Sequence, residues 1–249
     1  MTASTPPVKP TTGSYAPLKN VAACLGVANS IINRPPGVDG LGVFFGPSGY
    51  GKSKASLFVQ HKKNALYLEV FDFWTRKTFV EALLGELNVI NPRGSVAAMM
   101  SQAIRLLKDT PNQLLIVDEA DKLVDKHMIE LVRDLEKGAK IPILLVGEEL
   151  LPQKLARYER CENRVAAYGM AEPCDVADAS VLGRQYHPAL GIADDLLTEI
   201  VAETQGNARR IVNTLARVAE YCLENGLQSI DRANYAGTIF TGRAPRRGH

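Results

Sequence analysis

Gly46-Pro47-Ser48-Gly49-Tyr50-Gly51-Lys52-Ser53 decides how the rest of this chain is read. Its spacing is G-x-x-x-x-G-K-[ST]. The apolar run Leu41–Phe45 precedes it, and a helical pattern from Lys52 to His61 follows it. Glycines at these positions let successive main-chain N–H groups turn inward around phosphate oxygens. A helix starting near Lys52 points the positive end of its dipole at the same spot. Lys52 would neutralise the outer phosphates, and the Ser53 hydroxyl would face Mg²⁺.

Outward from this loop, short apolar runs alternate with helical patterns. Strands are expected at Ala65–Phe71, Gln113–Asp118, Ile141–Gly147 and Val165–Met170. Helices are expected at Lys19–Ile32, Lys77–Leu87, Ser95–Lys108, Lys126–Lys137 and Leu151–Arg157. The strands are continuous apolar runs, which suits parallel strands covered on both faces. Strand and helix in alternation imply an α/β sheet with right-handed crossovers. After Pro173 no strand is evident. Helices are expected at Val176–Tyr186, Asp194–Thr204, Ala208–Glu224 and Asp231–Phe240. The expected organisation is a flexible arm over residues 1–18, a nucleotide-binding domain over 19–172, a small helical lid over 173–241 and a basic tail over 242–249.

Composition narrows the classes. Among 249 residues, 29 are basic and 27 acidic, so at a net charge of +2 no global basic field announces nucleic acid. The longest apolar runs fall far short of the roughly 20 residues of a membrane span. The Pro- and Thr-rich start lacks the apolar core of a secretory signal. Cys24, Cys161, Cys174 and Cys222 form no C-x-x-C pair, which suits reduced thiols in a cytoplasmic protein.

The second half of a nucleotide site is expected at Leu114-Leu115-Ile116-Val117-Asp118-Glu119, an apolar strand ending in two carboxylates. With Ser53, Asp118 is the candidate for ordering the Mg²⁺ shell, as in phosphate-loop NTPases. Glu119 is the candidate general base for a water molecule.

With Gly46–Ser53, with Leu114–Asp121 (LLIVDEAD), with Ile143–Leu150 (ILLVGEEL) and with Gly206-Asn207-Ala208-Arg209-Arg210, the chain resembles the AAA+ ATPases. Within them it is similar to the transposition ATPases of phage Mu and of bacterial transposons. The resemblance spans about residues 20 to 225. It implies a P-loop NTPase sheet of five parallel strands flanked by helices, with the Ile143–Val146 strand between the two motif strands, and a C-terminal helical lid. ATP and Mg²⁺ would be held by Gly46, Pro47, Ser48, Gly49, Tyr50, Gly51, Lys52, Ser53 and Lys54, together with Asp118, Glu148 and Arg209. Arg209 would reach the γ-phosphate from the lid. An Arg acting on the neighbouring subunit's nucleotide would be Arg164, with Arg160 second. The family carries a small neutral residue where Glu148 stands, and that departure implies a slow, switch-like ATPase.

The same resemblance implies an ATP-bound oligomer or filament on duplex DNA that captures target DNA and activates a transposase. It implies no membrane partner and a cytoplasmic location, that of the host cell if the chain is phage-encoded. Sequence-tolerant backbone contacts would come from Thr75, Arg76, Lys77, Thr78 and Arg93. The alternative is a protein-remodelling or regulatory switch without DNA binding. A replication-initiator reading ranks third, because the stretch after Glu224 is short for a winged-helix domain.

Overall fold

The computed structural model describes residues 18–110 and 112–242. Most of the expected arm (1–17) and the tail arginines Arg243, Arg246 and Arg247 lie outside the described residues. The chain divides into two compact units, one from Asn20 to Glu172 and one that contains the described residues from Pro173 onward.

The first unit is built on a five-stranded sheet in the order β2-β3-β4-β1-β5. Its strands are β1 (Leu41–Phe45), β2 (Leu66–Glu69), β3 (Leu115–Asp118), β4 (Ile143–Gly147) and β5 (Val165–Met170), and every pairing is parallel. β4 lies between β3 and β1, as the resemblance implied. The helices are α1 (Lys19–Ile32), α2 (Lys52–Lys63), α3 (Arg76–Glu86), α4 (Val96–Lys108), α5 (Asp121–Asp125), α6 (Glu130–Ala139), α7 (Leu151–Leu155) and α8 (Glu159–Glu162). β3 and β4 are buried at every position, because helices cover both faces. The main core joins Val43, Leu115, Val117 and Leu145 of the sheet to Phe79, Leu83, Met99 and Leu135 of the helices. Trp74 packs against it and meets Phe79 edge-on, with ring centroids 6.4 Å apart.

α1 approaches the β1–β5 edge of the sheet closely. A Cβ on Gly42 would stand 2.9 Å from Val27 and one on Gly169 only 2.5 Å from it. Glycine at both positions is therefore what lets α1 bury Val27 and Ile31 there.

One expected helix, Lys126–Lys137, starts four residues late, as α6. α5 ends at Asp125, and His127 takes φ 55 before α6 begins at Glu130. The His127 ring is held by the Tyr158 hydroxyl at 2.5 Å, a contact invisible to helical periodicity.

The second unit contains α9 (Val176–Tyr186), α10 (Asp194–Thr204) and α11 (Ala208–Glu224) around Leu182, Leu196, Ile200, Ile211 and Leu215. Asp175 and Asp178 form a reciprocal capping box on α9, and Asn207 caps α11. Two expectations fail here. A parallel pair of two-residue strands, β6 (Gly191–Ile192) and β7 (Ser229–Ile230), was not foreseen; strands so short carry no periodic signal. Asp231–Phe240 is not a helix. The Asp231 carboxylate accepts from both the main-chain N–H and the side-chain amide of Asn234, which fixes a turn instead.

Replacing Gly169 by Val should force α1 off the sheet edge. The expected loss is about 1–3 kcal/mol of stability, read as a lower urea midpoint with an unchanged slope.

Candidate nucleotide site

The loop between β1 and α2 is shaped by three glycines at positive φ: Gly46 (154°), Gly49 (85°) and Gly51 (83°). A Cβ on Gly46 would stand 3.0 Å from that of Ala171, so the loop's first turn has room only for hydrogen. Gly51 is the N-cap of α2, and no side chain caps the helix there. The first N–H groups of α2 are therefore left to face whatever occupies the loop. Lys52 folds back over it. Its ammonium donates to the carbonyls of Gly46 (2.7 Å) and Pro47 (2.9 Å). Burial pulls the Lys52 ammonium below its ordinary range, and Glu148, Asp118, Glu119 and Asp121 oppose that by their charge. The four carboxylates named in that balance come from the ends of β3 and β4 and from α5.

Asp118 is buried at the end of β3. One of its oxygens accepts the Glu119 main-chain N–H at 2.8 Å, and the other accepts the Tyr67 hydroxyl at 2.7 Å. Burial pushes the Tyr67 phenol well up. The charge and hydrogen bond of Asp118 add to that, and a hydrogen bond with Ser56 opposes it. Beneath, Cys24 of α1 is pushed up to about 12 by burial and then by the charge of Asp118, so it stays a thiol. All four cysteines are buried and free.

Glu119 takes φ 58, an uncommon conformation for a residue with a side chain. Its carboxylate meets the Lys122 ammonium at 3.3 Å, and that ammonium also donates to the Val70 carbonyl. The candidate base is therefore held by a cation of its own chain.

Sequence reasoning gave no role to three side chains that build this site, although one of them, Asp121, closes the quoted Leu114–Asp121 stretch. Tyr67 is one. The second is Asp121, a buried carboxylate that accepts the Glu148 N–H at 2.6 Å and lies 3.5 Å from the Lys154 ammonium. A Cβ on Gly147 would come within 2.2 Å of Asp121, so the glycine that ends β4 makes room for this bond. Asp121 thereby ties the turn after β4 to the end of β3. Asn20, the third, does a similar job on the loop. Its amide donates to the carbonyls of Tyr50 and Glu172 and accepts the Glu172 N–H, all within 2.8–2.9 Å. The expected elements contain Tyr67 and Asn20, and the quoted stretch contains Asp121, but only the fold brings their side chains to the pocket.

These residues suit a nucleotide with its metal. The glycine turns and the uncapped helix start offer N–H groups to phosphate, and Lys52 stands over them. Ser53, exposed at the start of α2, and buried Asp118 supply one alcohol and one carboxylate. That donor set fits Mg²⁺, which keeps several waters and takes substrate phosphates as ligands. Ser48 and Lys54 belong to the same loop and helix.

Residues 37–155 match a family model, the AAA domain. This stretch is a AAA-type P-loop ATPase domain. Solved structures agree in fold. The Aeropyrum pernix ORC2 protein in ADPNP-ADP complexes is 14% identical, with a TM-score of 0.64 over 88% of this chain and 67% of that one. The Aeropyrum pernix ORC1 protein in complex with DNA is 14% identical, with a TM-score of 0.63 over 89% of this chain and 65% of that one. The Thermotoga maritima RuvB Holliday junction branch migration motor is 16% identical, with a TM-score of 0.58 over 85% of this chain and 64% of that one. The chain thus spans about two thirds of their length. No curated protein matches it by sequence. Among the described residues no helix is long and apolar enough to cross a membrane.

The expected trans-acting arginines divide. Arg164 pairs within its own chain, 2.7 Å from Asp39 and 2.7 Å from Glu136, whose side chain is fully buried. It therefore holds the approach to β1, the start of β5 and α6 together. Arg160 is exposed on the wall of a cavity of about 350 Å³ that Arg133, Lys137 and Asn163 also line. Arg209 is exposed in the first turn of α11. The supposed DNA contacts are largely engaged locally. Thr75 caps α3 by accepting from the Thr78 N–H. Arg76 donates to the His127 carbonyl at 2.7 Å, and Lys77 pairs with Glu81 at 3.6 Å. Arg93 is exposed.

Arg164→Ala would leave the buried Glu136 carboxyl without its guanidinium partner. Its expected cost is about 3 kcal/mol. Arg160→Ala should leave the denaturant midpoint unchanged, and a urea titration of the two variants reads the difference.

Proposed function

We propose that this chain is an ATP-dependent, sequence-tolerant DNA-binding ATPase of the transposition type, which captures target DNA as an ATP-bound oligomer or filament and activates a transposase. The observation that carries the nucleotide part is the loop of glycine turns with Lys52 folded over it, ahead of the uncapped start of α2. Support for the DNA part comes from the fold shared with a protein solved in complex with DNA and with a branch migration motor. The transposition part rests on the sequence resemblance.

In this reading Ser53 and Asp118 hold Mg²⁺, which supplies charge neutralisation on the phosphates. Lys52 neutralises the outer phosphates, and the first N–H groups of α2 bind their oxygens. Glu119 takes the proton of the attacking water once its carboxylate leaves Lys122. Turnover is slow because that ion pair competes for the base. Glu148 sits on the turn that Asp121 fixes, in the place of the usual neutral residue. Arg209 senses the γ-phosphate in cis. Arg160, whose side chain is not drawn into its own subunit as that of Arg164 is, serves the neighbouring protomer.

A second reading, a protein-remodelling or regulatory switch, draws on Arg76 and Lys77 being engaged within the chain. It also draws on Phe71 and Phe73, which stack at 5.7 Å on the exposed loop after β2.

Retention on duplex DNA, compared with ATP, with ADP and without nucleotide, separates the two. DNA binding under ATP that weakens steeply with salt supports the first reading. Equal retention in all three states rejects the coupling. Lys52→Ala should lower Mg·ATP affinity at least tenfold by calorimetry, and normal affinity would remove the assignment of the loop. Glu119→Gln should keep nucleotide affinity within about twofold, while hydrolysis falls about a hundredfold or more. Hydrolysis at the wild-type rate would show that Glu119 is not the base.

A further inference from the structure

Tyr67 lies outside both nucleotide motifs, yet its hydroxyl makes one of the two hydrogen bonds that fix the Asp118 carboxylate. The ring reaches that position from β2, which runs parallel to β3 with Tyr67 opposite Ile116 and Glu69 opposite Asp118. Its own strand is pinned in turn: the Tyr67 N–H donates to the Glu86 carboxylate at the end of α3. On the loop side, the buried Ser56 hydroxyl donates to the Ser53 carbonyl at 3.0 Å.

A carboxylate on two rotatable bonds that is held through only one oxygen still swings about that anchor. Asp118 is held through both. The Glu119 N–H fixes Oδ1 and the phenol fixes Oδ2, and each oxygen keeps a further lone-pair direction for the pocket. Outer hydrogen bonds of this kind orient a ligating group before the metal arrives.

Resting on the proposed nucleotide site, we propose that Tyr67 is a positioning residue for the metal half of that site: its hydroxyl holds Asp118 in the orientation that receives Mg²⁺. The residue contributes through Asp118 and touches neither nucleotide nor metal. Glycine-loop and lysine contacts to phosphate do not depend on it.

Affinity for a slowly hydrolysed ATP analogue, measured by calorimetry with Mg²⁺ and again with EDTA, isolates this role without turnover. In the wild-type protein Mg²⁺ should tighten binding. Tyr67→Phe deletes one oxygen and keeps the ring. It should bind as wild type in EDTA and lose about tenfold of the Mg²⁺-dependent tightening. Asp118→Asn should lose that tightening too, and adding Tyr67→Phe to it should change nothing further, because the phenol acts through this carboxylate. Full retention of the Mg²⁺ effect by Tyr67→Phe would overturn the proposal. So would additive losses in the double variant, or a lower melting temperature with the Mg²⁺ ratio unchanged, since those mark a purely structural side chain. A wild-type protein that bound no analogue in either condition would instead overturn the nucleotide site itself.

Discussion

A negative charge buried at the end of a parallel strand is the constraint around which this domain is arranged. Asp118 stands inside the protein, where an ionised carboxylate is costly unless polar partners meet it. The structure meets it with a main-chain N–H from the next residue and a phenol from the adjacent strand. Both partners exist only because β3 lies between β2 and β4 and because the chain turns sharply at Glu119. The positive φ of Glu119 is part of the same solution. It presents its N–H to Asp118 and sends its own side chain outward to Lys122.

The opposite charge is handled in parallel. Lys52 loses hydration, and its ammonium falls below its ordinary range for that reason, while the surrounding carboxylates favour the charged form. The loop carbonyls of Gly46 and Pro47 take its protons in this structure. A lysine satisfied by main-chain acceptors and facing carboxylates is ready to exchange those partners for phosphate, which is the stronger acceptor for a cation. The acidic residues are themselves braced. Asp121 is bonded to the turn after β4, and Glu119 is paired with Lys122, so few of the charges near the loop are free to rearrange without cause.

Arginines gave the clearest divergence between motif and geometry. Arg164 fits the position that a family pattern favours, but the carboxylates of Asp39 and Glu136 flank it on either side. A guanidinium between two carboxylates, one of them fully buried, is part of the scaffold. Neighbouring Arg160 has the exposure that Arg164 lacks. The same lesson applies at Arg76, whose guanidinium closes on a main-chain carbonyl in the loop between α5 and α6.

Much of this was legible in the chain itself. The glycine loop, the apolar strands and their order of appearance are local properties: a turn that needs positive φ needs glycine, and a strand covered on both faces must be apolar along its length. Those rules gave the α/β class and the positions of β1 to β5, and they made Lys52, Ser53, Asp118 and Glu119 the candidates for the nucleotide site. The alternation of three residues with four likewise gave α9, α10 and α11. What the tertiary structure alone decided were the contacts between residues far apart in sequence. Tyr67 reaches Asp118, Asp121 takes the Glu148 N–H, Asn20 clasps Tyr50 and Glu172, and Glu136 captures Arg164. No local pattern encodes such pairs, because each arises when strand order and helix packing bring two polar groups together where water is excluded, and each must then find a partner.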